Sequence, residues 1–156
     1  MSELTVTNPL QFFVKEVTIV AKNGAKLDIR KLFEEINIFD SLFIPVVNGT
    51  MLISDSVGLS NKLSFDGSET LLIEITKDKD SEIASYKKAF RIYKQTERVN
   101  TNQTNEAYLL HFVSDELMFS DQQRVTQSYS GKYSEIVASI MFDYLQVPAS
   151  QLGGIL

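Results

Sequence analysis

ASYKKAFRIYKQTERVNTNQTNEAYLLHFVS, residues Ala84 to Ser114, is the stretch that decides the fold. In its first half Phe90 and Ile92 alternate with charged or polar neighbours, and in its second half Tyr108, Leu110 and Phe112 face one way. Alternate side chains of a strand share a face, so a period of two predicts two half-buried strands, Ala84 to Arg98 and Ala107 to Ser114. The segment between them, Asn100 to Asn105, is wholly polar. The whole reads as a long antiparallel hairpin with a polar tip.

Working outward, the same alternation fills the N-terminal half. Phe12 to Ala21 alternates around Val17, Ile19 and Ala21, meets Asn23-Gly24, and resumes over Leu27 to Ile29. Asn-Gly tolerates the positive φ of a tight hairpin turn. Phe33 to Asp40 carries Ile36 and Ile38 on one face, and a second Asn-Gly, Asn48-Gly49, leads into Thr50 to Asp55 with Met51 and Ile53 together. Asp66-Gly67 precedes Thr70 to Thr76, where Leu71, Ile73 and Ile75 share a face. Ser56 to Leu63 interrupts the pattern and predicts one helical turn or an irregular connection. Short strands punctuated by such turns predict a mainly β protein, an antiparallel β-barrel or sandwich.

One clear helix follows. Tyr133, Ile136, Val137, Ile140, Met141 and Tyr144 recur at helical period, with Ser130 or Ser134 as N-cap and Pro148 as the stop. The intervening Asp115 to Gly131 is polar and rich in Ser and Gln. This predicts a β domain over 1–118, then a linker and the helical start of a second, incomplete domain over 119–156.

The bulk properties exclude several functions. A chain of 156 residues buries enough surface to fold without cross-links. The absence of cysteine removes disulfides, thiolate metal sites and cysteine nucleophiles. Twenty acidic against 15 basic residues, a net charge of −5, disfavours a nucleic-acid reader, whose affinity comes mostly from neutralising phosphate. Met1 to Pro9 lacks the cationic and apolar parts of a signal peptide, and the apolar run Leu42 to Val47 is far below the ~20 residues of a membrane span. The expectation is a protein made in a cytoplasm, without a membrane role.

Each candidate for chemistry has a simpler structural reading. His111 is the only histidine and lies in a strand pattern, where an outward-facing ring is expected; no Gly-x-Ser-x-Gly elbow accompanies it. Asp78, Asp80 and Glu82 alternate as calcium ligands can, but lack the central glycine and distal glutamate of a calcium loop. Glu34-Glu35 and Asp115-Glu116 are adjacent carboxylates, which in an extended chain point to opposite faces. Gly58, Gly67 and Gly131 are isolated and read as turn residues. Lys87, Lys88 and Arg91 interleave with Tyr86, Phe90 and Tyr93, a pattern that suits single-stranded nucleic acid but equally a strand with one wet face. No catalytic, cofactor-binding or metal residue is assigned, and no cofactor or enzymatic activity is expected.

Taken in order, three passages resemble the central baseplate hub proteins of T-even-like contractile-tailed phages. Phe33 to Leu42 followed by Asn48-Gly49-Thr50-Met51-Leu52-Ile53-Ser54-Asp55 is similar to the family's strand, short loop and Gly-x-x-x-Ile-x-Asp strand. Leu63 to Leu71 is similar to its Gly-x-Glu turn before a strand. Phe112 to Leu117, then Arg124 to Tyr129 and the helix Ser134 to Leu145, resembles the exit from the first tube domain. The likeness spans Phe12 to Leu145, while the family's second tube-like barrel has no counterpart here.

The resemblance implies a structural virion protein. Three subunits, each supplying two barrels, would form a pseudo-sixfold ring joining the tail tube to the central spike. Partners would be further copies, a tail-tube protein and a spike protein. The hairpin Ala84 to Ser114 would form the inner wall, and an acidic lumen would let DNA pass without specific binding. Two other classes stand beside this one: a carbohydrate- or peptide-binding β-sandwich using Asn100 to Asn105, and a hydrolase resting on His111 and scattered carboxylates.

Overall fold

The computed structural model describes residues 12–77, 86–102, 105–124 and 126–147. Asp78, Asp80, Glu82 and Pro148 lie outside the described residues.

Seven strands form one antiparallel sheet. They are β1 (Phe13–Val20), β2 (Lys26–Asp28), β3 (Phe33–Ser41), β4 (Ile44–Asp55), β5 (Thr70–Thr76), β6 (Tyr86–Asn100) and β7 (Glu106–Val113). Their order is β2-β1-β5-β6-β7-β4-β3. A single turn of helix, α1 (Leu59–Lys62), links β4 to β5, and α2 (Asp115–Gln122) and α3 (Tyr133–Asp143) follow β7.

The mainly β, antiparallel architecture with a C-terminal helix is as the alternation predicts. Closure into a barrel is not present: the sheet curls, yet β2 and β3 remain as its two edges. Closure needs two edges running alongside each other in register. Here β2 offers only 3 residues and β3 offers 9. Irregular register between Val14 and Glu16, Ile92 and Lys94, and Thr96 and Val99 bends the strands, as bulges do.

The predicted apolar faces meet inside the curl. Val17, Ile19, Met51, Ile53, Leu71, Ile73, Phe90, Ile92, Tyr108, Leu110 and Phe112 are all buried. The rings of Phe90 and Phe112 pack at 4.8 Å between centroids, a tilted arrangement that suits their quadrupoles.

Of the two Asn-Gly turns predicted, one holds and one does not. Asn23-Gly24 is a turn, with Gly24 at φ +83° and the Ala21 N–H donating to the Ala25 carbonyl at 2.9 Å. Asn48-Gly49 is not a turn; both residues lie inside β4, opposite Phe39 and Ile38 on β3. Gly49 is required for close approach instead, because a Cβ there would run into the Asn37 carbonyl oxygen and the Phe112 ring. The real turn is Leu42-Phe43, since Ser41 pairs with Ile44.

The polar stretch after β7 begins as α2, so Asp115 and Glu116 sit in a helical first turn and not in extended chain. Carboxylates there complement the partial positive charge of the helix start. α3 starts one residue after Lys132, and neither Ser130 nor Ser134 caps it; the Glu135 carboxylate reaches back to accept the Lys132 N–H at 3.4 Å. None of the residues of α3 is buried.

Candidate functional site

Three places on the described surface stand out, two polar and one apolar. At the end of β4, Asp55 is buried and its carboxylate accepts the N–H groups of Val57 at 3.1 Å and Ser60 at 3.0 Å. The Tyr108 hydroxyl donates to the same carboxylate at 3.3 Å. Burial pushes the Asp55 pKa up, but these bonds, with a further one from the Leu59 backbone, outweigh it and hold the group below its ordinary value. Burial first, and then the Asp55 charge, push the Tyr108 phenol strongly up, so it remains a donor. Asp55 therefore fixes α1 against the sheet. Ile53 of the same Gly-x-x-x-Ile-x-Asp segment is core and Gly49 is a contact point, so each of the three residues has a packing role.

Beside this anchor lies a polar hollow of about 340 Å³ lined by Gly58, Asn61, Asn100, Asn102, Asn105 and Glu106, with Asp55 at its floor. Its wall is tied by Arg98, which donates to Glu106 from Nε at 3.0 Å and from Nη2 at 2.9 Å. Ser60 Oγ donates to Glu106 at 3.2 Å. Bonding to Arg98 holds the Glu106 carboxyl below its usual range.

The basic cluster on β6 is the second place, and it is already matched by acids. Lys87 meets Glu74 at 2.7 Å, Lys88 meets Glu116 at 4.0 Å, and Arg91 meets Asp115 at 3.2 Å. Arg91 also donates to the Ser68 carbonyl at 2.9 Å. Asp115 and Glu116, adjacent in the sequence, thus serve as counter-charges. Glu35 accepts from the Asn37 side chain at 2.7 Å. Phe90 points into the core while Tyr93 stays half exposed, so the aromatics of this strand do not form one stacking platform.

His111 projects from β7 away from the core face, as expected. Its Nε2 lies 2.8 Å from Thr96 Oγ1 and its ring 6.1 Å from that of Tyr93. Among the described residues no acid joins them, so no nucleophile, base and orienting acid converge. Among the described residues no group of three or more ligating side chains is arranged for a metal, and no helix is long and apolar enough to cross a membrane.

The third place is apolar, and sequence reasoning missed it. Leu42 is 102% and Phe43 95% exposed at the β3–β4 turn, with Phe39 and Ile44 largely exposed beside them. On the same chain, Phe12, Val14, Phe33, Ile36, Ile38, Ile75 and Tyr86 line an open groove of about 690 Å³, with Lys77 on its rim. The groove lies between β3 and the ends of β1, β5 and β6, where the curled sheet stops short of closing. The Tyr86 hydroxyl is buried there and, among the described residues, has no hydrogen-bond partner. Burial, and then the nearby Asp40 charge, push the Tyr86 phenol up.

Among the described residues these places present paired polar groups and an exposed apolar patch, and no reactive groups converge. Comparison with family models and with curated proteins finds no match to the chain.

Proposed function

We propose that this chain is a structural virion protein, the first part of a baseplate hub subunit that forms a ring joining a contractile tail tube to a central spike. The observation that carries the reading is the curled antiparallel sheet with two free edges and an exposed apolar tip, which leaves cover to be supplied from outside. Contact with neighbouring copies would complete the wall that the single chain leaves open. The order and spacing of the Gly49, Ile53 and Asp55 segment and of the Gly67 turn add support through the family resemblance. In this reading α3, whose Tyr133, Val137 and Phe142 are exposed, belongs to the start of the next domain.

The hairpin β6–β7 would be the inner wall. Its own charges are Lys87, Lys88, Arg91, Lys94 and Arg98 against Glu97 and Glu106, so the wall is not acidic by itself. Its resistance to DNA comes instead from ion pairing, because Glu74, Glu116, Asp115 and Glu106 occupy four of those cations. A matched cation releases few counterions on meeting phosphate and so adds little affinity.

The polar hollow with its four asparagines favours a second reading, a carbohydrate-binding module. Two measurements separate them. A hub subunit labelled at the chain terminus is expected at the tube–spike junction in electron micrographs of assembled particles, and the purified chain is expected to associate beyond 17.6 kDa. A chain that stays monomeric, is absent from tails and binds oligosaccharide with loss on Asn61→Ala would overturn the hub reading.

A further inference from the structure

We infer that Asn23 is a site of spontaneous covalent modification, converting to aspartyl and isoaspartyl forms in the folded chain, while the second Asn-Gly pair, Asn48-Gly49, is shielded from the same reaction. Asparagine before glycine is prone to attack on its side-chain amide by the next backbone nitrogen, because no Cβ on that residue crowds the approach. The chain holds two such pairs, and the fold treats them oppositely.

Asn23 and Gly24 are exposed at the tip of the β1–β2 hairpin. Asn23 Oδ1 accepts the Ala25 N–H at 3.0 Å, which folds the side chain forward along the Gly24 peptide and polarises its carbonyl. One bond holds the attacking nitrogen back, the Gly24 N–H donating to the Ala21 carbonyl at 2.8 Å. That bond belongs to a hairpin whose second strand, β2, has 3 residues and lies at the sheet edge, so its opening is local. Gly49 is buried in β4, opposite Ile38 of β3 and Phe112 of β7. The Asn37 carbonyl and the Phe112 ring fill the space beside its Cα. Its peptide turns toward the Asn48 side chain only when strand pairing opens.

In the first step the Gly24 nitrogen forms a bond to Asn23 Cγ and gives up its proton. The Cγ–Nδ2 bond breaks, and the side-chain nitrogen takes up that proton and leaves as ammonia. Water then adds to one of the two carbonyls of the cyclic imide and opens it, giving either an aspartyl side chain or an isoaspartyl backbone. Both products add a negative charge at the tip. The isoaspartyl form also routes the backbone through an additional carbon, which breaks the spacing of the Gly24-to-Ala21 and Ala21-to-Ala25 hydrogen bonds. The hairpin at this edge of the sheet thus records the time the protein has spent in water.

The full chain is incubated folded in mildly alkaline buffer and, in parallel, unfolded in guanidinium chloride, and amide loss at each asparagine is followed by peptide mass spectrometry. In the folded chain conversion at Asn23 is expected to run at least about tenfold faster than at Asn48, which reacts only through an opened state. In guanidinium the two rates are expected to agree within about twofold, since the contacts that separate them are gone. Conversion at Asn23 no faster than at Asn48 in the folded chain overturns the inference, and so does a gap of the same size in guanidinium, which would assign it to local sequence. Asn23→Gln is expected to abolish the isoaspartyl signal that an isoaspartyl-specific methyltransferase reads in the aged, folded chain; a signal of undiminished size would place the modification elsewhere and overturn the assignment.

Discussion

The two long hairpins of this sheet, β3–β4 and β6–β7, share one inner-face pattern and have opposite tips. Both point alternate apolar side chains into the core: Met51 and Ile53 from the first, Phe90, Ile92, Tyr108, Leu110 and Phe112 from the second. At the β6–β7 end the tip residues are asparagine and threonine, and Thr101 and Asn102 donate backbone N–H bonds to the Asn105 carbonyl at 2.9 and 3.4 Å. At the β3–β4 end a two-residue turn usually built from Asn-Gly is built from Leu42-Phe43. The described residues of the first tip are polar and need no apolar cover. The second gains only when something covers it, which places the pressure on the β3–β4 tip outside the folding of the single chain.

The largest effect that would break this comparison is expected at Gly49, where the hairpins touch. Gly49→Ala forces a methyl group against the Asn37 carbonyl and the Phe112 ring, and a loss of about 3 kcal/mol or more is expected in urea unfolding. A loss below about 1 kcal/mol would mean that β4 and β3 have room to separate.

Asp55→Ala comes next. It removes the acceptor of three backbone N–H groups and leaves the buried Tyr108 hydroxyl without its partner, at a cost of about 2–4 kcal/mol. Tyr108→Phe in the Asp55→Ala background is expected to recover part of that loss, since both ends of the bond are then apolar.

Acid supplies a third, smaller probe of the same anchor. The folded-state pKa of Asp55 lies below its ordinary 3.8, so as pH falls the unfolded chain takes up the proton first. The stabilisation is therefore full above 3.8 and drains as pH falls through the lower folded value. Urea midpoints between about pH 6 and pH 2 should show this slope, and Asp55→Asn should flatten it.

The smallest effect is expected from the surface charges of β6. Lys87→Ala and Arg98→Ala remove exposed ion pairs and should each leave the urea midpoint nearly unchanged, with any difference shrinking in salt. By contrast, Leu42→Asp should leave the monomer's melting unchanged, because that side chain touches none of the core.

How much was legible in the sequence follows from how local each signal is. The strands, the core faces and α3 rest on periodicities within a dozen residues, and they are where the alternation puts them. Asn48-Gly49 misled because the same dipeptide that makes a turn also supplies a residue without Cβ, and only the distant Phe112 reveals which use applies. Leu42-Phe43 carries no turn chemistry, so nothing in the composition marks it as a turn. α2 has no apolar stripe to announce it; none of its residues is buried. Openness of the sheet depends on whether β2 and β3, which never pair, could meet in space. The groove draws on Val14, Ile38, Ile75 and Tyr86 from four strands, so no window of sequence contains it.

The strand order has a consequence for how the molecule comes into being. β7 is the only strand that pairs with both β6 and β4, and so it alone joins the β3–β4 half to the β2-β1-β5-β6 half. Among the strands of this sheet it is also the last to leave the ribosome. At roughly 5–20 residues per second, the two halves wait about 1–3 seconds of synthesis with four raw edges between them. A ribosome that stalls before Glu106 leaves two half-sheets on one tether, each with a hydrogen-bonding ladder open to the nascent chain next door.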